Sequence, residues 1–206
     1  MQNANRRNRY HTKKPSSQPS KVKLAKAMNK LLRNKDFNSI TTAEISRVAG
    51  ANEALIFRHF KDKRGLLHHV LHEYLLDFNA DIRKDLKKET GALNKLGIII
   101  RNHIKMYDSN RVFARILLLE VRNYPDYFES ATYWLVKFYS KLITDIIEEG
   151  VAEGEIRDDV PPENIRDLIL GGIEHFCMAA VIFKHDISVV SAAEQLRKLI
   201  FSGIKT

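Results

Sequence analysis

Apolar positions recur at helical spacing along nearly the whole chain, beginning just after Ser20. Val22, Leu24, Ala25, Met28, Leu31 and Leu32 mark one buried helical face that runs to Asn34. The segment "DFNSITT" breaks this pattern, and Thr41 or Thr42 can then cap a short helix from Ala43 to Ala49. Gly50 ends that helix, Asn52 caps another that reaches Phe60, and Asp62 opens a longer one. The longer helix carries Leu66, Leu67, Val70, Leu71, Tyr74, Leu75 and Phe78 on one face. Beyond Thr90 and Gly91 the spacing predicts helices over about 92–107, 110–122, 127–153, 162–184 and 188–204. No stretch alternates with period two between turn signals, so no sheet is expected. No internal repeat is visible. The expected fold is all-α with about nine helices.

Two short helices joined by a glycine turn form the supersecondary unit of a helix-turn-helix. Ile45, Val48, Ala49 and Ile56 supply its small core, and Ala49 and Gly50 are small where the helices approach. Ile56 and Phe60 are expected to face inward. Phe57 lies about 100° further round the wheel, at a rim where its ring can rest on a sugar-phosphate backbone. Arg58, His59 and Lys63 surround it and can contact phosphates. The alternative is that both rings are core and the charges only solvate the helix end.

Charge distribution favours the first reading. The chain has 34 Lys and Arg against 25 Asp and Glu, a net charge of +9. Residues 1–64 hold 16 basic and 4 acidic residues, whereas the remainder holds 18 basic and 21 acidic. Such a basic first third suggests a polyanion-binding end on a separate body. Residues 1–19 are polar, contain Pro15 and Pro19 and carry no acid. They read as a disordered basic arm, which either lies along DNA or is simply solvated.

The stretch "TTAEISRVAGANEALIFRHFKDKRGLL" resembles the DNA-binding segment of the TetR family of bacterial transcriptional regulators. Thr42, Ile45, Ala49, Gly50, Ile56, Phe57, His59, Phe60, Asp62, Lys63 and Leu66 match that family's pattern. Ser46, Ala51 and Asn52 stand where the family usually has Ala, Val and Ser, and they keep size or capping ability. The resemblance implies that Thr42 and Lys63 anchor phosphates and that Phe57 and His59 lie on the backbone. It leaves Asn52, Glu53, Leu55 and Arg58 as candidates for base edges. Asn can read adenine, Arg guanine, Glu can accept from cytosine, and Leu can touch a thymine methyl. Glu53 has a second reading, as an acid that complements the helix dipole. The expected division is a basic arm (1–19), a three-helix helix-turn-helix domain (20–65) and a helical effector-binding and dimerisation domain (66–206).

In that body, the helix from Pro162 carries apolar or small residues at 165, 168, 169, 172, 173, 176, 177 and 180. Its other side holds Leu170, Gly171, Met178, Val181 and Ile182, leaving Asp167 and Glu174 as a narrow polar strip. A helix apolar nearly all round is buried on two sides, by its own core and by a second subunit. The last helix repeats the theme with Ala192, Ala193, Leu196, Leu199, Ile200, Gly203 and Ile204. A four-helix homodimer interface follows, which the resemblance also implies; a monomeric core is the alternative. The middle helices are rich in aromatics, among them Phe78, Tyr139 and Phe176. Hydrophobic walls with few polar groups suit a small hydrophobic effector. The candidate lining is His103, Tyr107, Phe113, Glu120, Trp134, Phe138 and His175. The stretches "FARILLLEVRNYPDYFES" and "EEGVAEGEIRDDV" are similar to the body of TetR-type regulators of fatty-acid degradation, which implies an acyl-CoA or fatty-acid effector.

Other classes find little support. The single cysteine, Cys177, allows no intramolecular disulfide and sits among apolar residues as a core side chain would. The N-terminus lacks the apolar run of a signal peptide, and no run reaches the ~18 residues of a membrane span. A cytoplasmic protein without membrane partner or cofactor is expected. No Gly-rich phosphate loop, H-E-x-x-H or G-x-S-x-G suggests catalysis. His68 and His72, four apart beside Glu73, read as a solvated face and not as a metal site. The rival to a sequence-specific reader is a non-specific architectural DNA binder. The reading that results is a dimeric repressor, released from a palindromic double-stranded operator by a small hydrophobic ligand.

Overall fold

The computed structural model describes residues 19–183 and 185–206. The chain divides into two compact units between Leu67 and His68, two residues beyond the expected boundary. Most of the expected basic arm lies outside the described residues. Its last residue, Pro19, opens the first helix, where a missing N–H costs nothing.

The first unit contains α1 (Pro19–Leu32), a 3-10 turn (Phe37–Ser39), α2 (Thr42–Ala49), α3 (Ala54–Phe60) and the start of α4 (Lys63–Leu86). Local signals set these boundaries. Of the two candidate caps, Thr41 is the one used: its Oγ1 accepts the Glu44 N–H at 3.1 Å. Gly50 ends α2 at φ +59°, a left-handed conformation that favours glycine. Asn52 Oδ1 accepts the Ala54 N–H at 2.9 Å and starts α3. Leu24, Met28, Leu32, Phe37, Ile40, Ile45, Ile56 and Phe60 form the core of this unit.

The second unit contains the rest of α4, then α5 (Ala92–Ser109), α6 (Arg111–Arg115), α7 (Ala131–Ala152), α8 (Pro162–Phe183) and α9 (Val189–Ile204). α5 is its central element, packed against α6, α7, α8 and α9. It buries Leu96, Ile99, Ile100, His103, Ile104 and Tyr107. The expected helix over 110–122 is split. After the short α6 the chain widens into a π-helical turn (Ile116–Glu120) and tightens into a 3-10 turn (Val121–Asn123). The expected helix over 127–153 starts later. A Pro-led 3-10 turn fills Pro125–Glu129, and Ser130 Oγ then accepts the Tyr133 N–H at 3.1 Å, making Ser130 the cap. Cys177 is buried, and burial pushes its thiol up to about 11, as fits an inert core residue. Among the described residues there are nine α-helices and no strand beyond one isolated bridge, Ile156 with Lys205. None of these helices is long and apolar enough to cross a membrane.

Candidate nucleic-acid interface and ligand cavity

In the first unit, α3 buries Ile56 and Phe60 and leaves Phe57 54 % exposed. Asn52, Ala54, Arg58 and Lys61 are exposed with it, while Glu53 and Leu55 are half-buried. Positions 54, 57, 58 and 61 are three or four apart, so they share one outward face. That face offers a ring, a guanidinium and an ammonium, a chemistry suited to a phosphate backbone and to guanine edges. Two neighbours named from the sequence are engaged elsewhere. His59 Nε2 lies 2.9 Å from Ser20 Oγ and ties α3 to the start of α1. Lys63 donates to the Phe37 and Ile40 carbonyls at 2.9 and 2.7 Å and stands over the Phe37 ring. Burial lowers its pKa. Lys63 therefore closes the carbonyl end of the 3-10 turn, which its reading as a phosphate anchor did not include. Thr42 is half-buried inside α2, with Thr41 as the cap before it.

The second unit holds a cavity of about 320 Å³. Of the seven candidates, His103 and Tyr107 line it, together with Phe78 and Tyr139. His103 Nδ1 lies 3.3 Å from the Tyr139 hydroxyl, and its ring meets that of Tyr107 edge-on at 4.7 Å. Burial, helped by the Arg122 charge, pulls the His103 pKa down to about 3, so the imidazole is neutral. Burial pushes the Tyr139 and Tyr107 hydroxyls up, and that of Tyr127 to about 12.

The other candidates fall outside this lining. Phe113 packs on Tyr74 at 4.6 Å beside a separate, far smaller void. Glu120 is half-buried and does not border the cavity. Trp134 is 62 % exposed, and Phe138 is exposed with the Arg83 guanidinium 4.1 Å above its ring. His175 is exposed on the outer face of α8. The reason is helical register. On α7, Trp134 and Phe138 form one stripe, while Tyr133, Val136, Tyr139 and Ser140 form the stripe that borders the cavity. Sequence reasoning also missed Tyr127, Tyr133 and the Arg122–Glu174 pair, whose two bonds measure 2.5 and 3.1 Å. Glu174, one of three acids on a largely apolar helix, was the available signal.

Residues 24–70 match the tetR family of bacterial regulatory proteins. Residues 71–203 match the C-terminal region of YsiA-like proteins. The chain belongs to the tetR family. It is thus a DNA-binding transcriptional regulator, and the family's helix-turn-helix segment coincides with the first unit. This tetR-family chain is 22 % identical, over 90 % of its length and 96 % of the relative's, to the fatty acid metabolism regulator protein of Bacillus subtilis (strain 168). Solved structures share its fold. The fatty acid degradation regulator FadR of Bacillus halodurans has a TM-score of 0.80 at 19 % identity, covering 91 % of this chain and 97 % of that one. The FadR of Bacillus subtilis in complex with stearoyl-CoA has a TM-score of 0.80 at 22 % identity, covering 89 % and 98 %.

Proposed function

We propose that this tetR-family protein is a cytoplasmic homodimeric repressor that releases a palindromic operator when an acyl thioester enters the second unit. The observation that carries this reading is the ring-lined cavity of about 320 Å³. A domain that served only to join two DNA readers would pack that volume, because interiors are close-packed. Relatives named for fatty-acid regulation, one of them solved with stearoyl-CoA, support the thioester class.

In this reading Asn52, Phe57 and Arg58 meet the duplex first, with Glu53 and Leu55 beside them at base edges. The dimer forms through α8 and α9, which leave Leu168, Phe176, Ile182, Phe183, Val190 and Leu199 uncovered in the single chain. Two recognition helices must stand one DNA turn apart, about 34–36 Å or somewhat more. An effector needs to favour a different spacing by only ~1–3 kcal/mol to loosen the operator.

The test is selection of bound sites from random duplexes, with and without an acyl-CoA thioester, short- and long-chain forms being tried in turn. An enriched inverted repeat that vanishes with the thioester is the expected result. Retention of duplex without any enriched motif would make the protein an architectural binder instead.

A further inference from the structure

We propose that the cavity of the second unit receives a short aryl-acyl group, a ring on a two- or three-carbon acyl chain, in place of a long saturated one. This rests on the thioester reading above and narrows it. Size is the first argument. At the ~30 Å³ that a water-sized group occupies, a cavity of about 320 Å³ holds about ten or eleven non-hydrogen groups. A cinnamoyl group has about that many, whereas an octadecanoyl group requires roughly 570 Å³ on the same scale.

The lining is the second argument. Seven of its seventeen residues carry rings. Phe78 meets Tyr139 at 5.3 Å and His103 meets Tyr139 at 5.4 Å, while Tyr127 meets Tyr133 at 5.4 Å. Aromatic rings gain from edge-on contact with further rings beyond the area they bury.

Unused polar groups are the third. Asn79 borders the cavity, is 6 % exposed, and its Oδ1 has no hydrogen-bond partner. Among the described residues, the hydroxyls of Tyr107 and Tyr127 donate to nothing, and His103 bonds only through Nδ1. A saturated chain offers these groups nothing beyond the carbonyl that every thioester carries, while a phenol on the acyl ring adds a donor for Asn79 Oδ1 and an acceptor for a tyrosine hydroxyl. Arg122, the one cation of the lining, is held at both ends by Glu174, so the cavity presents no free charge to a carboxylate. The occupant is therefore uncharged where it is buried.

The experiment is calorimetric titration of the full chain with cinnamoyl-, 4-hydroxycinnamoyl-, decanoyl- and octadecanoyl-CoA, and with CoA alone. The two aryl thioesters are expected to bind at least tenfold tighter than decanoyl- or octadecanoyl-CoA, and CoA alone a hundredfold weaker. Decanoyl-CoA binding as tightly as cinnamoyl-CoA would mean that size alone is read and would overturn the proposal. Octadecanoyl-CoA binding tightest would overturn it too, while leaving the thioester reading intact. Failure of every thioester would remove that reading and this inference with it. Leu170→Trp and Ser140→Phe fill the cavity from two sides. Each is expected to weaken cinnamoyl-CoA at least tenfold while the helical signal and cooperative thermal unfolding persist. Undiminished binding in both folded variants would place the ligand elsewhere and sink the proposal.

Discussion

Lys63 donates to the Phe37 and Ile40 carbonyls while its ammonium stands 4.4 Å from the centre of the Phe37 ring. Hydrogen bonds to a charged group contribute about 1.5–3 kcal/mol each when buried, and less where water reaches the pair, as here. Lys63→Met keeps the stem and removes the donor, so the melting temperature is expected to fall by about 5 °C. Arg58→Ala should leave thermal stability alone and reduce the salt slope of DNA binding by about one counterion. Calorimetry and a salt series on both variants separate the roles; an unchanged melt with a shallower slope for Lys63→Met would restore it as a phosphate contact. His103 sets a different dependence. Its pKa is about 3 when folded and ~6.5 when unfolded, so the unfolded chain binds the extra proton between those values. Stability that is complete above pH 6.5 is lost as pH falls towards 3, on the order of 2 kcal/mol by pH 5. Urea melts at pH 7 and pH 5 should show that loss in the native chain and a smaller one in His103→Phe.

The start of α4 is fixed by Gly65. A Cβ there would lie 1.8 Å from the Phe60 carbonyl oxygen, the last carbonyl of α3. Gly65→Ala must push the two helices apart, at a cost of about 1–3 kcal/mol or more. Thermal unfolding should register that cost, and affinity for a selected operator should fall at least tenfold; native stability in the variant would mean that α3 shifts freely. The sequence pattern "KDKRGLL" gave no hint of this contact, because the clash is with main chain from the preceding helix. The surrounding elements were more legible. Thr41, Gly50 and Asn52 act on groups within three or four residues of themselves, so their caps and turn could be read directly. The π-helical turn at Ile116–Glu120 could not, since a wide turn carries no compositional mark. Little of the cavity lining was legible, two of seven candidates bordering it, for a related reason. α7 has rings on several faces, and only packing against α5 decides that Tyr133 and Tyr139 turn towards the cavity while Trp134 and Phe138 do not.

Across the whole molecule, positive charge is concentrated in the first 64 residues and uncovered apolar surface in the last two helices. Leu168 is 56 % exposed and Leu199 70 % exposed, on helices whose opposite faces are fully buried in the second unit. Isolated exposed leucines are ordinary on a monomer. A series of exposed apolar side chains along α8, Leu168, Phe176, Ile182 and Phe183, continued on α9 by Val190 and Leu199, is the pattern of a patch that a partner covers. A stable homodimer buries on the order of 1,600 Å², and two helices from each chain are enough to supply it. Leu168→Glu and Leu199→Glu each place a charge at the centre of such an interface, where an unpaired buried carboxylate costs several kcal/mol. Sedimentation equilibrium at micromolar concentration is expected to show dimers for the native chain and monomers for both variants, with helical content unchanged. Affinity for a palindromic operator should then fall at least a hundredfold, because each half-site is held separately. Affinity for a single half-site should stay the same, since Phe57 and Arg58 belong to the first unit. Dimers that survive both substitutions would move the interface away from α8 and α9.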